Sequence, residues 1–132
     1  MAKWNPVVEE WARKAESDWR IVLILAKEAN TEDALIFHAQ QCAEKYIKAA
    51  LVACGEAPTK THDISALYRI LKTHITDLIL EESALDRLSQ GGVSFRYPGC
   101  DATSDDANLA FKQAELNRAA LQQWLRLLGG NR

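Results

Sequence analysis

Residues 35–51 read LIFHAQQCAEKYIKAAL, and residues 61–64, a little further on, read THDI. In the longer stretch Leu35, Ala39, Cys42, Tyr46 and Ala50, with Ile36, Ala43, Ile47, Leu51 and Cys54, recur at spacings of three and four, the pattern of a helix buried along one stripe. The opposite stripe gathers Phe37, His38, Gln41, Glu44, Lys45 and Lys48. Glu44 and Lys48 have the favourable order for an i,i+4 ion pair, but an exposed pair of this kind contributes only about 0.3–0.5 kcal/mol. Helix stability therefore explains little of this composition. Two readings stand side by side, a solvated face and a functional one.

The same periodicity organises the flanking sequence. Asn5-Pro6 offers an N-cap followed by proline at the first helical position, and Val8, Trp11, Ala12, Ala15, Trp19, Val22, Leu23 and Ala26 repeat at helical spacing, so a first helix is expected to end near Ala29. Thr31 is the expected cap of the second, with Glu32 and Asp33 in a first turn that favours acidic groups. That second helix is predicted over 32–54, stopped by Gly55 and followed by a short loop containing Pro58. Thr61 is expected to cap a third helix, whose apolar side is Ile64, Leu67, Tyr68, Leu71 and Ile75. After a weak break near Thr76, a further helical piece holds Leu78, Leu85 and Leu88 and ends at Gly91-Gly92. Residues 91–103, GGVSFRYPGCDAT, read as a loop. Ser104 with Asp105 and Asp106 opens the last helix, which runs through Ala107, Ala110, Phe111, Ala114, Leu121, Trp124, Leu125 and Leu128 to a stop at Gly129-Gly130.

Four principal helices with an extra short one, short connections and no period-2 strand predict an all-α, up-and-down antiparallel bundle. Neither a repeat nor a linker divides the 132 residues, so one domain over 1–132 is expected, large enough to fold without metals or disulfides. Trp11, Trp19 and Trp124 are expected in its core or at a subunit seam. With 16 basic and 18 acidic residues, a net charge of −2 argues against indiscriminate nucleic-acid binding while leaving room for a local basic patch. Three cysteines, at 42, 54 and 100, make no disulfide framework and read as the reduced thiols of a cytoplasmic protein. The first eleven residues lack an uncharged apolar core, and the apolar run at 21–26 is too short to span a bilayer, so no membrane role is expected.

The residue types narrow the chemistry. His62 and His74 are twelve apart, no Cys-x-x-Cys pair exists, and no glycine loop is followed by Lys-Ser/Thr, so neither a zinc site, a phosphate-cradling loop nor any other cofactor is expected. His62 sits at a helix start beside Asp63, where the dipole favours a neutral ring, as a capping element or a hydrogen-bonding group. His38 has the options of acid, base, ligand contact and surface residue. Arg96 beside Tyr97 pairs a guanidinium suited to phosphate with a ring suited to stacking. Alternatively Arg96 pairs with a carboxylate such as Asp18 and holds its loop to the bundle.

Taken together, AESDW at 15–19, FHAQQCAEK at 37–45 with Lys48-Ala49, Thr61-His62-Asp63-Ile64 and Arg96-Tyr97-Pro98 resemble the HEPN domain family (higher eukaryotes and prokaryotes nucleotide-binding), over nearly the whole chain. The resemblance implies a four- to five-helix bundle, commonly a homodimer with a polar site near its seam. Many members are metal-independent ribonucleases carrying an arginine, four to six residues and then a histidine. Here no histidine follows Arg96. The resemblance therefore implies a non-catalytic or weakly catalytic member that binds a nucleotide or partners a small nucleotidyltransferase, in the manner of a toxin-antitoxin pair. Ligand contacts are expected from His38, Gln41, Lys45, Lys48, His62, Arg96 and Tyr97. The alternatives are a ribonuclease toxin in which His38 or His62 replaces the missing histidine, and a helical module that binds only protein.

Overall fold

The computed structural model describes residues 2–57 and 60–129. The described chain forms five helices: α1 (Pro6–Leu25), α2 (Glu32–Ala53), α3 (Ile64–Lys72), α4 (Glu82–Ser94) and α5 (Ser104–Leu127). The expected up-and-down bundle of four main helices and one short one is present. Lys3 N–H bonds Ala53 O, so α1 and α2 are antiparallel. α4 turns back along α2, with Ser89 beside His62, Gly92 against Gln40 and Arg96 over Phe37. Ala102 N–H donates to Asp33 Oδ1 and Asn117 Nδ2 to Ala43 O, so α5 runs parallel to α2 and opposite to its neighbours α1 and α4.

The second helix is buried more completely than a one-stripe reading allows. Every other helix packs on α2, and 14 of its 22 residues are buried, including Gln40, Glu44 and Lys48. Small residues explain how: Ala39, Cys42, Ala43 and Ala50 on α2 and Ala107, Ala110 and Ala114 on α5 are all buried, and together they let the two axes approach. Glu44 and Lys48 are thus an interior pair instead of a solvated one.

Several boundaries differ from expectation for local reasons. α1 stops at Leu25, short of Ala29, because the Thr31 hydroxyl donates to Leu25 O and Glu28 O while Asn30 turns the chain at φ 61°. Thr31 thus serves the end of α1 and makes no side-chain cap to α2, which closes at Ala53, with Gly55 at φ 87°. Asp63, and not Thr61, caps α3 through Ala66 N–H, while Thr61 accepts from Asp63 N–H. Ile75 and Leu78 are buried in the connection between α3 and α4. Thr103, one residue before Ser104, caps α5 in a reciprocal box with Asp106. Trp19 is buried against Phe111 with ring centroids 5.3 Å apart, whereas Trp11 and Trp124 are half-buried. The expected loop at Pro58 and the second glycine of the Gly129-Gly130 stop lie outside the described residues.

The largest departure is at Gly91-Gly92, which lies inside α4 instead of ending it. A Cβ at Gly92 would stand 2.8 Å from Gln40 Cγ and 2.9 Å from Gln40 Cβ. The glycine is there for close approach of α4 to α2, and the loop shrinks to the residues after Phe95. Gln40 cannot simply swing aside, since its amide bonds Glu44 Oε1 at 3.0 Å and His62 O at 3.3 Å. Gly92→Ala is therefore expected to lower stability by about 1–2 kcal/mol in urea unfolding, overpacking of about 1–3 kcal/mol outweighing a helix-propensity gain of up to about 1.

Candidate functional site

The polar residues of α2 divide into two groups that face different helices. Helical spacing puts Gln40, Glu44 and Lys48 on one line and His38 and Lys45 on another, with Gln41 beside the second. Position 18 of α1, spaced three from Ala15 and four from Val22, falls on that helix's buried stripe. It holds a carboxylate. Asp18, 6% exposed, lies 2.9 Å from His38 Nδ1 through Oδ1 and 2.6 Å from Lys45 Nζ through Oδ2. An ionised carboxylate only accepts, so His38 Nδ1 is the donor to Asp18, and Nε2 is the ring nitrogen left to meet a ligand.

The Arg96 loop completes this group from α4. Arg96 Cζ stands 5.0 Å from the Phe37 ring centroid, and the Phe37 ring meets His38 edge-on at 5.2 Å. Arg96 does not pair with Asp18, whose partners are His38 and Lys45; its guanidinium lies over Phe37 instead. Arg96, Phe37, His38, Asp18 and Lys45 form one continuous strip from the turn after α4 across α2 to α1. Gln41 is half-buried on the same side of α2, and Tyr97, 62% exposed, projects beside Arg96.

The second group is interior. Glu44, 3% exposed, accepts from Gln40 Nε2, from Lys48 Nζ at 2.9 Å and from His62 Nδ1 at 3.0 Å, which meets the lone pairs a buried carboxylate must have satisfied. Lys48 also lies 5.4 Å from the Trp11 ring centroid, so it is enclosed and does not face solvent. His62 is the exposed member, its side chain 71% accessible. Its carbonyl accepts from Ser89 Oγ at 3.2 Å, and Ser89 in turn accepts from Ile64 N–H. Next to it, the Ser65 hydroxyl and the Ala66 N–H hold the Asp63 carboxyl below its usual range. The Thr-His-Asp-Ile motif is thus a joint between α2, α3 and α4.

A third arrangement, not foreseen from sequence, ties α1 to α5. Arg118 grips Glu16 with two bonds, Nε to Oε2 at 2.6 Å and Nη2 to Oε1 at 2.8 Å, and the Tyr46 hydroxyl donates to the same carboxylate. Burial acting alone would raise the Glu16 carboxyl, but the Arg118 and Tyr46 hydrogen bonds with Arg118's charge bring it below the ordinary value. Burial and the Glu16 bond together raise the Tyr46 phenol, and burial pushes the nearby Cys42 thiol up to about 12. The local hint was AESDW itself, two acids set between Ala15 and Trp19 of the buried stripe. Arg118, about a hundred residues away, gave no signal.

Among the described residues no group of three or more His, Cys, Asp or Glu side chains lies placed to hold a metal ion, and no helix is long and apolar enough to cross a membrane. Compared with known proteins, residues 8–123 match the model of the HEPN domain, a family associated with nucleotide- and RNA-related function. No curated protein and no solved structure matches the chain.

Two outcomes test the assignment of interior roles. Lys48→Ala leaves Glu44 charged and under-paired, and is expected to cost about 3–5 kcal/mol in chemical unfolding, whereas His62→Ala at an exposed position should cost less than about 1. Glu16, with its folded carboxyl lowered, contributes stability that is fully present above its unfolded pKa and is lost as pH falls through the folded one. Glu16→Gln should accordingly flatten the loss of thermal stability on acidification below about pH 4.5, measured as Tm against pH.

Proposed function

The chain belongs to the HEPN domain family, and from that premise we propose that it is a non-catalytic or weakly catalytic member that binds a nucleotide along the Arg96–Phe37–His38–Asp18–Lys45 strip. The observation that carries this reading is a buried carboxylate of α1 that holds one ammonium and one imidazole of α2, with a guanidinium from the turn after α4 lying over the neighbouring Phe37 ring. Arg96 supplies a fork suited to phosphate oxygens, Lys45 adds charge, and Gln41 and His38 Nε2 supply hydrogen bonds. Because Arg96 covers a face of Phe37, the ring offered to a base is Tyr97. Lys48, enclosed behind the strip, and the exposed His62 both bond Glu44, the joint on which α2 and α4 are aligned.

The same reading includes a cytoplasmic homodimer and a small nucleotidyltransferase as partner in a toxin-antitoxin-like pair. Its support is the family's habit together with exposed apolar side chains on α1, among them Val7 and Ile24. One observation favours a second reading, a metal-independent ribonuclease. The Asp18–His38 pair orients an imidazole with a free Nε2, the arrangement of a general base. RNA cleavage that resists chelators and disappears in His38→Ala would select that reading.

The deciding experiment is a thermal-shift screen of the protein against mononucleotides and short RNA, with Arg96→Ala and Lys45→Ala alongside. A nucleotide at a hundred times its Kd is expected to add about 2.7 kcal/mol, seen as a rise in Tm that both variants lose relative to their own ligand-free values. A rise retained in both variants, or absent for every nucleotide, overturns the reading.

A further inference from the structure

Between α4 and α5 lies a cavity of about 90 Å³ whose apolar floor is Ile36 of α2 with Leu88 and Phe95. Its two walls carry opposite charges. Arg87 lies three residues after Ala84 and four before Gly91, and Asp106 stands four before Ala110 and seven before Gln113. All six line the cavity, so helical spacing turns the guanidinium and the carboxylate towards it from either side. Among the described residues the two do not pair with each other, and the exposed Arg87 side chain has no carboxylate, carbonyl or ring partner. Asp106 gives Oδ2 to Thr103 N–H in the α5 cap, which fixes its rotamer and leaves Oδ1 without a partner. A cation and an anion that face one cavity without meeting each other are matched by a ligand that carries both charges itself. A cavity of about 150 Å³ accepts benzene, so this smaller one has room for a branched aliphatic group and not for a ring. The cavity shares no residue with the Arg96 strip and owes nothing to the nucleotide reading.

We propose that this cavity binds a free α-amino acid with a branched aliphatic side chain, the class of leucine, isoleucine and valine. The hydrocarbon branch sits on Ile36, Leu88 and Phe95, which removes it from water. The carboxylate meets the Arg87 guanidinium and the ammonium meets Asp106 Oδ1. The half-buried Gln113 amide, with one donor group and one acceptor, serves either end. An acid or an amine alone leaves one wall without its counter-charge.

The test is a ¹⁵N–¹H NMR titration of the full chain with L-leucine and, in parallel, with L-leucinamide, which lacks the carboxylate, and 4-methylpentanoate, which lacks the ammonium. Leucine is expected to shift the amides of residues 84–91 and 106–113 in a saturable way, and to bind about tenfold more tightly than either analogue, the size of one charge-assisted hydrogen bond. Glycine, without the branch, and phenylalanine, with a ring, should give no saturable shift over the same range. Arg87→Gln, an exposed change, should erase the preference for leucine over leucinamide. Asp106→Asn, whose side-chain oxygen still accepts from Thr103 N–H, should erase the preference over 4-methylpentanoate, with helicity unchanged by circular dichroism in both variants. Absence of saturable shifts with leucine, equal affinity for the two analogues and leucine, phenylalanine binding as well as leucine, or preferences unchanged in Arg87→Gln overturns the proposal. So do cavity resonances that move with protein concentration in the absence of amino acid, since those would make this face an interface between copies.

Discussion

Glu44 is a carboxylate almost wholly inside the bundle, and the arrangement of α2, α3 and α4 follows from the need to keep it satisfied. Three donors reach it: Lys48 from the next turn, Gln40 from the previous one and His62 from the chain entering α3. An ion taken from water costs several kcal/mol unless its partners are close and well directed, a demand that Lys48 and Gln40 meet inside the bundle and that His62 adds to from the entry to α3. Gln40 must then lie between Glu44 and α4, and Gly92 is the residue whose missing side chain gives it room. One charge thus links a helix interior, a capping motif and a glycine fifty residues away.

The strip proposed to meet ligand sits on that frame. Phe37 and His38 lie about two turns before Glu44 and Lys45 directly follows it, so the geometry that fixes Glu44 also fixes them along α2. On the other side α1 contributes two carboxylates with separate tasks. Glu16 is locked by Arg118 and Tyr46 and joins α1 to α5, while Asp18 organises His38 and Lys45. Two residues apart on a helix point in different directions, which is how one short segment serves both the scaffold and the site. Arg96 needs no carboxylate because its guanidinium lies over Phe37, a contact that places the cation beside the imidazole without neutralising it.

Much of this was legible in the residues. The helix count, the order of elements and the Asn5 cap, which accepts from Val7 and Val8 N–H, follow from periodicity and from capping chemistry that acts over three or four residues. The joining of Arg96 to the His38 face was visible only as a resemblance. Gly91-Gly92 misled because glycine pairs serve equally as helix stops and as points of close approach, and only the helix packed opposite distinguishes the two. Lys48 misled in a similar way: an i,i+4 pair reads the same in water or in a core, and burial depends on Trp11 and the neighbouring helices.

By itself the sequence determined an all-helical chain, its segmentation and the family to which it belongs, because those rest on spacings within single helices and on short motifs. Packing alone settled which polar residues of α2 are interior and which face outward, that Asp18 takes His38 and Lys45 as partners instead of Arg96, and that Arg118 grips Glu16. Those facts depend on pairs separated by twenty to a hundred residues. Such pairs leave no periodic trace in one sequence, since a side chain's partner is set by how whole helices pack and not by what stands next to it in the chain.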